Sequence, residues 1–266
     1  MKPPAPRIRV ALRIALASLT SAAHGNDSVR FALPSCGIAD GNDVAEFDQF
    51  ASNYKAVLDR CVAVGGESSE YFTEYKAAYI DRLLGAAPAK ILDFGCGVGA
   101  LSVALAQHRP QDAIHGYDVS SASLDQVAPA LRERGLFTDR LDELHRDYGL
   151  IVLSNVMHHI PLQARHETIM DLAARLACGG RLLVIEHNPL NPLTRWIVAH
   201  CEFDDDAVLL WPREVGRYFS AAKLSRPRRD YMLFFPKALS ALRGFEASLR
   251  WCPLGAQYAF SACRSG

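Results

Sequence analysis

Lys90-Ile91-Leu92-Asp93-Phe94-Gly95-Cys96-Gly97-Val98-Gly99 is the stretch that decides the fold. An apolar run of strand length ends in three glycines at alternate positions, and Ala100 to His108 continues as a helix halted by Pro110. Glycine at a strand-to-helix turn lets the backbone bend tightly and lets a ligand approach the main chain. In an open α/β sheet such a ligand lies beyond the carboxyl ends of the strands, where the strand order reverses.

The same alternation extends outward in both directions. Strands are expected at Ile114–Val119, Leu150–Ser154 and Arg181–Ile185, with helices at Ser120–Arg134, kinked at Pro129, and at Gln163–Ala177. The Leu150–Ser154 run is of the kind buried on both faces. Pro212–Lys223 reads as a helix, and Tyr231–Phe235 and Gln257–Cys263 as the last two strands, joined by a helical connection from Pro236 to Leu249. Two helices precede the first strand. One carries Phe47, Phe50, Tyr54, Val57 and Leu58; the other follows Gly65-Gly66, with Ser68 or Ser69 as N-cap and Tyr71, Tyr75, Tyr79 and Leu83 on one face. The pattern predicts an α/β fold, a doubly wound and mainly parallel sheet.

No linker rich in Gly, Ser or Pro divides the 266 residues. Residues 43–264 therefore read as one domain, with a helical cap at 43–88 and an insertion at 187–225. Residues 1–42 read as a disordered leader. Lys2, Arg7 and Arg9 before Val10–Ala23 resemble a secretory signal, but Arg13 interrupts the run. The stretch is also shorter than the roughly 20 residues that span a bilayer. Formal charge is zero, with 29 basic and 29 acidic residues, so nothing global points to nucleic acid or a membrane surface. Arg226-Pro227-Arg228-Arg229 reads as a solvated loop before a strand. The seven cysteines are scattered without a C-x-x-C pair. Neither a zinc site nor a disulfide framework is expected, and a reducing cytoplasm fits.

Asp93 bears on the ligand. Gly95, Gly97 and Ala100 also satisfy the relaxed dinucleotide pattern G-x-G-x-x-A. A dinucleotide, however, brings a doubly charged pyrophosphate to the turn, and a carboxylate two residues before the first glycine repels it. S-adenosylmethionine carries an ammonium and a sulfonium and no phosphate, so Asp93 favours that ligand. Asp118 lies 25 residues after Asp93 and 19 after Gly99, close to the spacing of about 20 at which an acidic residue holds a ribose diol. Both ligands carry a ribose, and a strand-end Asp also caps helices. Asp118 supports a nucleoside without choosing between them.

The D-x-G-x-G-x-G turn, Asp118 and the run Leu153-Ser154-Asn155-Val156-Met157-His158-His159-Ile160-Pro161 resemble the class I methyltransferase family, over roughly Phe47 to Cys263. The resemblance implies a Rossmann-like sheet of seven strands, the last antiparallel, and bound S-adenosylmethionine. By position, Asp93, Gly95, Cys96, Gly97 and Gly99 would border its methionine part and Asp118 its ribose, with Val119 and Asn155 beside them. Asp142, or less so Asp139, would meet the adenine, and Tyr54 would close over the cofactor from the cap. Many relatives carry an Asp just before the fourth strand, where this chain reads Tyr148-Gly149-Leu150.

Methyl transfer from a sulfonium is an in-line displacement at carbon, so alignment and desolvation are the main tasks. A base is needed only if the acceptor must lose a proton. Candidates at the ends of the fourth and fifth strands are Asn155, His158, His159, Glu186 and His187, of which His158 and His159 are the catalytic candidates. Adjacent on one turn, these two are expected to point in different directions, with at most one toward the ligand. His187, His200 and Asp204 match no metal-ligand spacing, and no metal is expected. Asp204-Asp205-Asp206 reads as a solvated turn that starts a helix. Trp196, Phe203 and Trp211, with Arg195, are expected to wall a partly apolar acceptor that bears a polar group.

The leading function is a methyltransferase acting on oxygen, nitrogen or carbon of a small molecule. An NAD(P)-dependent oxidoreductase is opposed by Asp93 and by the lack of a Tyr-x-x-x-Lys pattern beside the sheet. A non-catalytic methyltransferase-like binding module is opposed, for cofactor binding only, by the intact glycine turn. Nucleic acid as acceptor is disfavoured by the neutral charge and the lack of an Asn-Pro-Pro-Tyr-like motif. The expected setting is cytoplasmic, without stable membrane insertion.

Overall fold

The computed structural model describes residues 54–265 apart from 88, 202, 203, 205 and 206. Its strands are β1 (Lys90–Phe94), β2 (Ala113–Tyr117), β3 (Phe137–Thr138), β4 (Tyr148–Ser154), β5 (Leu176–His187), β6 (Leu224–Met232) and β7 (Gln257–Arg264). They form one sheet in the order β3-β2-β1-β4-β5-β7-β6. β1 to β5 run parallel, and β7 lies antiparallel between β5 and β6. The order turns back between β1 and β4, which opens a crevice at the carboxyl ends of those strands. This is the expected seven-stranded, Rossmann-like sheet. The two-residue β3 shows no pattern that sequence reading detects.

Helices pack on both faces: α1 (Tyr54–Val62), α2 (Ser69–Leu84), α3 (Ala100–His108), α4 (Ser121–Leu124), α5 (Pro129–Arg132), α6 (Leu162–Arg175), α7 (Pro192–Val198) and α8 (Pro212–Ala221). Strand alternation divides the core in two. Leu92, Ile151, Leu153, Leu182 and Val184 point toward α6 and α8, beside Leu172 and Phe219. Ile91, Leu150, Val152, Leu183 and Ile185 point toward α2 and α3, beside Ile80 and Leu105. A parallel strand covered on both faces must be apolar throughout, which is why β4 reads as it does. The buried Arg109 after α3 fastens the cap to the sheet. Its guanidinium donates to Asp81, to Asp112 and to the carbonyls of Gly85 and Ala87.

Four expectations change. The helix foreseen over Ser120–Arg134 is two short ones, because Pro129 lacks an N–H and starts α5 instead of continuing α4. Arg226 to Arg229 lie within β6, not in a loop. β6 is an edge strand, where exposed arginines, a proline and the register shift between Ser225 and Arg228 blunt pairing with another sheet. An acidic residue does precede β4: Asp147 accepts from Lys90 Nζ at 2.8 Å. Finally, a disulfide joins Cys61 of α1 to Cys201 after α7, against the expectation of isolated cysteines. Fold contacts bring together residues 140 positions apart, which no spacing rule registers. Among the described residues no helix is long and apolar enough to cross a membrane. The leader at 1–42 lies outside the described residues.

Candidate active site

β1 delivers its glycines to the crevice in left-handed conformations. At Gly95 φ is +78°, and a Cβ there would stand 2.4 Å from Val156 Cγ2, so both the backbone and the space demand glycine. Gly95 and Cys96 donate their N–H groups to the Tyr117 carbonyl at 2.7 and 2.9 Å, which binds the turn to the end of β2. Asp118 follows directly. Its carboxylate accepts from Gly97 N at 2.7 Å and from Ser120 N at 3.0 Å, so it braces the glycine turn and the start of α4 while lining the crevice. The helix cap itself is Ser120, whose hydroxyl accepts from Ser123 N at 3.0 Å, and Asp118 holds that capping residue in place.

A cavity of about 350 Å³ opens over these residues, within the size range of small-ligand sites. Asp93, Gly95, Cys96, Gly97, Asp118, Val119 and Asn155 line it, as do His158 and His159. Gly99 sits just behind the wall at the start of α3, with φ +80°. Asp142 is not brought there: it lies on the short 3-10 turn Leu141–Glu143, exposed and paired with Arg140 at 3.0 Å. Tyr54 opens α1, and its side chain lies outside what is described. From the cap, Leu58, Tyr71, Phe72 and Lys76 complete the wall.

Charge is unevenly distributed along the cavity. Asp93 is 1% exposed and accepts from Ser102 Oγ at 2.8 Å. Burial outweighs that bond and raises its pKa to about 6. Lys76 reaches in from α2 and donates to Ser154 Oγ at 2.9 Å. Burial lowers its pKa to about 8 against the pull of Glu186 and Asp93.

The opposite end is built around Glu186, which is fully buried on β5. One oxygen accepts from the N–H groups of Val156 and Met157 at 3.1 and 2.8 Å, and the other from His158 Nδ1 at 2.6 Å. Asn155 makes the turn that permits this, in the left-handed region at φ 58°, where Asn is tolerated better than most residues. Burial works against charge on His158, but Glu186 and Asp204 outweigh it and hold its pKa at about 9. Desolvation, with His158 nearby, lowers His187 to about 4.

The two adjacent histidines do not diverge. His158 Nε2 lies 3.3 Å from Asp204 Oδ1 and His159 Nε2 lies 3.6 Å from the same atom, with ring centroids 4.2 Å apart. They sit on a tight turn, not on a helix, so the angular separation of neighbouring helical residues does not apply. Asp204 is correspondingly no solvated turn, since its side chain is only 11% exposed. Asp205, Asp206 and Phe203 lie outside the described residues. The expected aromatic wall also moves. Trp196 and Trp211 are exposed, Trp196 stacks on His200, and Arg195 faces solvent. The insertion meets the cavity instead through Asn191, Leu193, Thr194, Ile197, Cys201 and Asp204.

A model of the methyltransferase domain matches residues 69–231, more than half of the chain. Among curated proteins the chain is 33% identical over 108 residues to a carboxy-S-adenosyl-L-methionine synthase from Chromohalobacter salexigens, covering 37% of this chain and 40% of that one. It is 29% identical over 114 residues to ribosomal RNA small subunit methyltransferase C from Acinetobacter baylyi, covering 38% of this chain and 33% of the relative. The chain thus spans well under half the length of the curated relatives it matches. Among solved structures it resembles a magnesium protoporphyrin IX methyltransferase from Synechocystis with bound S-adenosylmethionine. There the TM-score is 0.55 at 18% identity, over 85% of this chain and 99% of that one. It also resembles an S-adenosylmethionine-dependent methyltransferase from Archaeoglobus fulgidus, with TM-score 0.56 at 12% identity, over 74% and 95% of the two chains. The matched domain, the sheet order and the glycine turn braced by Asp118 agree: the chain belongs to the class I S-adenosylmethionine-dependent methyltransferase family.

Proposed function

We propose that the protein transfers a methyl group from S-adenosylmethionine to a small-molecule acceptor. The observation that carries this reading is the single cavity that runs from Asp93 and Asp118 to His158 and His159. One end suits an ammonium and a ribose diol; the other holds polar groups that suit a nucleophile. When bound, S-adenosylmethionine supplies an electrophilic methyl on a sulfonium, whose C–S electron pair returns to sulfur as the new bond forms.

The chain's own residues do the rest. Asp118 accepts from the ribose hydroxyls while the Gly97 and Ser120 N–H groups fix its orientation. Asp93 faces the ammonium in a buried setting, where opposite charges attract strongly. The cap and the apolar wall exclude water, which keeps the methyl group from side reactions. His158, charged between two carboxylates, orients the acceptor, and His159 takes its proton where it has one to lose. A cytosolic cosubstrate supports a cytoplasmic setting, and the Cys61–Cys201 bond pulls the other way.

Incubation of the full chain with methyl-labelled S-adenosylmethionine, small-molecule hydroxyl and amine panels and ribosomal RNA separates the acceptors. Label in a small molecule is expected. Label in RNA alone would keep the transferase and discard the acceptor class.

A further inference from the structure

We propose that His158 Nε2, His159 Nε2 and Asp204 Oδ1 form a site for a divalent first-row transition ion, zinc in the first instance. The ion's use, presenting the acceptor to the methyl group, rests on the methyltransferase reading; the binding site itself does not.

The contacts of the two histidines with Asp204 are longer than ideal charged hydrogen bonds. A charged N–H to carboxylate bond is about 2.7–2.9 Å long, whereas the two histidine nitrogens stand 3.3 and 3.6 Å from Asp204 Oδ1. His158 Nε2 is buried, yet makes no well-directed hydrogen bond. Metal coordination explains the same distances. Ligands about 2.0–2.1 Å from a tetrahedral zinc lie about 3.3–3.4 Å from one another. Both histidine-to-aspartate separations are close to that value, and the three donor atoms fall within 4.8 Å of one another.

The surroundings are also those of a metal ligand. His158 uses its other nitrogen to bind Glu186 at 2.6 Å, a carboxylate–histidine pair of the kind that fixes the tautomer and orientation of metal-bound histidines. Glu186 is itself held by two backbone N–H groups. Two imidazoles and a carboxylate suit zinc or its neighbours better than magnesium or calcium. Three protein ligands leave a fourth position for a small molecule, and all three residues line the cavity. Binding the ion displaces the Nε2 proton of His158, so the ion takes over both the charge that His158 carries without it and the base role of His159. An acceptor hydroxyl bound there would lose its proton to water more readily.

The test uses the full chain, stripped of metal by a chelator. It is titrated calorimetrically with zinc and, separately, followed by visible absorption with cobalt(II). The expected result is one ion per chain and a four-coordinate nitrogen and oxygen cobalt spectrum. His158→Ala or Asp204→Ala should weaken binding at least about 100-fold, and Glu186→Gln about 10–100-fold. The exposed His166→Ala should match wild type. S-adenosylmethionine titration of each variant reports folding, and the wild-type cobalt spectrum decides the ligand type even if a variant misfolds. A wild type that binds no ion, a cobalt spectrum with sulfur ligation, or binding that survives the substitutions would overturn the site. A wild type that binds S-adenosylmethionine but no ion sinks this inference alone; one that binds the ion but no S-adenosylmethionine sinks the methyltransferase reading alone.

Discussion

The two ends of the cavity differ in how the chain assembles them. At the cofactor end Asp93, the glycine turn, Asp118 and Ser120 follow one another along a single β-α-β passage, and backbone N–H groups make most of the contacts. At the other end His158, Glu186 and Asp204 come from the turn after β4, from β5 and from the insertion. The contacts that join the three are between side chains, although Glu186 also accepts from two backbone N–H groups. A site made of local backbone geometry needs particular residues at particular spacings. A site made of distant side chains needs only that the fold bring them together.

The sharpest way to break that contrast lies at the second end. Glu186→Ala removes the acceptor for two backbone N–H groups and leaves His158 without its buried partner. A cost of about 3–5 kcal/mol is expected, as for one half of a buried pair, read from denaturant unfolding. If stability barely changes, the histidine end is not a rigid, interlocked structure.

A smaller effect, of opposite sign, is expected at the first end. The pKa of Asp93 is raised to about 6 from 3.8, so its ionisation opposes folding once pH rises above about 4, and the cost is complete above about 6. Asp93→Asn should therefore stabilise the cofactor-free protein at pH 7, by up to about 3 kcal/mol. The same substitution should weaken S-adenosylmethionine binding at least about tenfold, as for a lost charged hydrogen bond. Wild-type affinity should also fall as pH drops through about 6, when the carboxylate facing the ammonium becomes protonated. Calorimetry across pH 5 to 8 on both proteins checks this (pH-independent wild-type affinity would show that Asp93 does not face the ammonium).

The mildest substitution sharpens the boundary of the cofactor end. Asp142 sits on an exposed turn with Arg140, so Asp142→Ala should leave cofactor affinity within about twofold. A larger loss would return it to the adenine position that the family resemblance implies.

The same contrast explains what the sequence disclosed. The strand-glycine-helix unit, Asp118 and the apolar β4 are legible because backbone bending, ribose recognition and two-sided burial each leave a local residue pattern. Asp204 is not legible, because a triple Asp looks like any solvated acidic turn. Only tertiary packing turns the first of the three toward the histidines. Cys61 and Cys201 are paired by the approach of α1 to the insertion, and Lys76 reaches the cavity from a helix whose other residues read as ordinary packing. Trp196 and Trp211 illustrate the opposite error, since aromatic character in an insertion marks contact area without saying which side it faces. β3 leaves no trace in the sequence because two residues are too few for any period to show.

The central claim is that this chain binds S-adenosylmethionine in a crevice braced by Asp118. Its most direct test is calorimetric titration of the full chain with S-adenosylmethionine and with NAD, beside Asp118→Ala. Removing a carboxylate that takes charged hydrogen bonds is expected to cost about 1.5–3 kcal/mol. The account thus predicts binding of S-adenosylmethionine and not NAD, weakened roughly 10–100-fold by the substitution. Binding of NAD instead, no binding of either, or an affinity that Asp118→Ala leaves unchanged would contradict it.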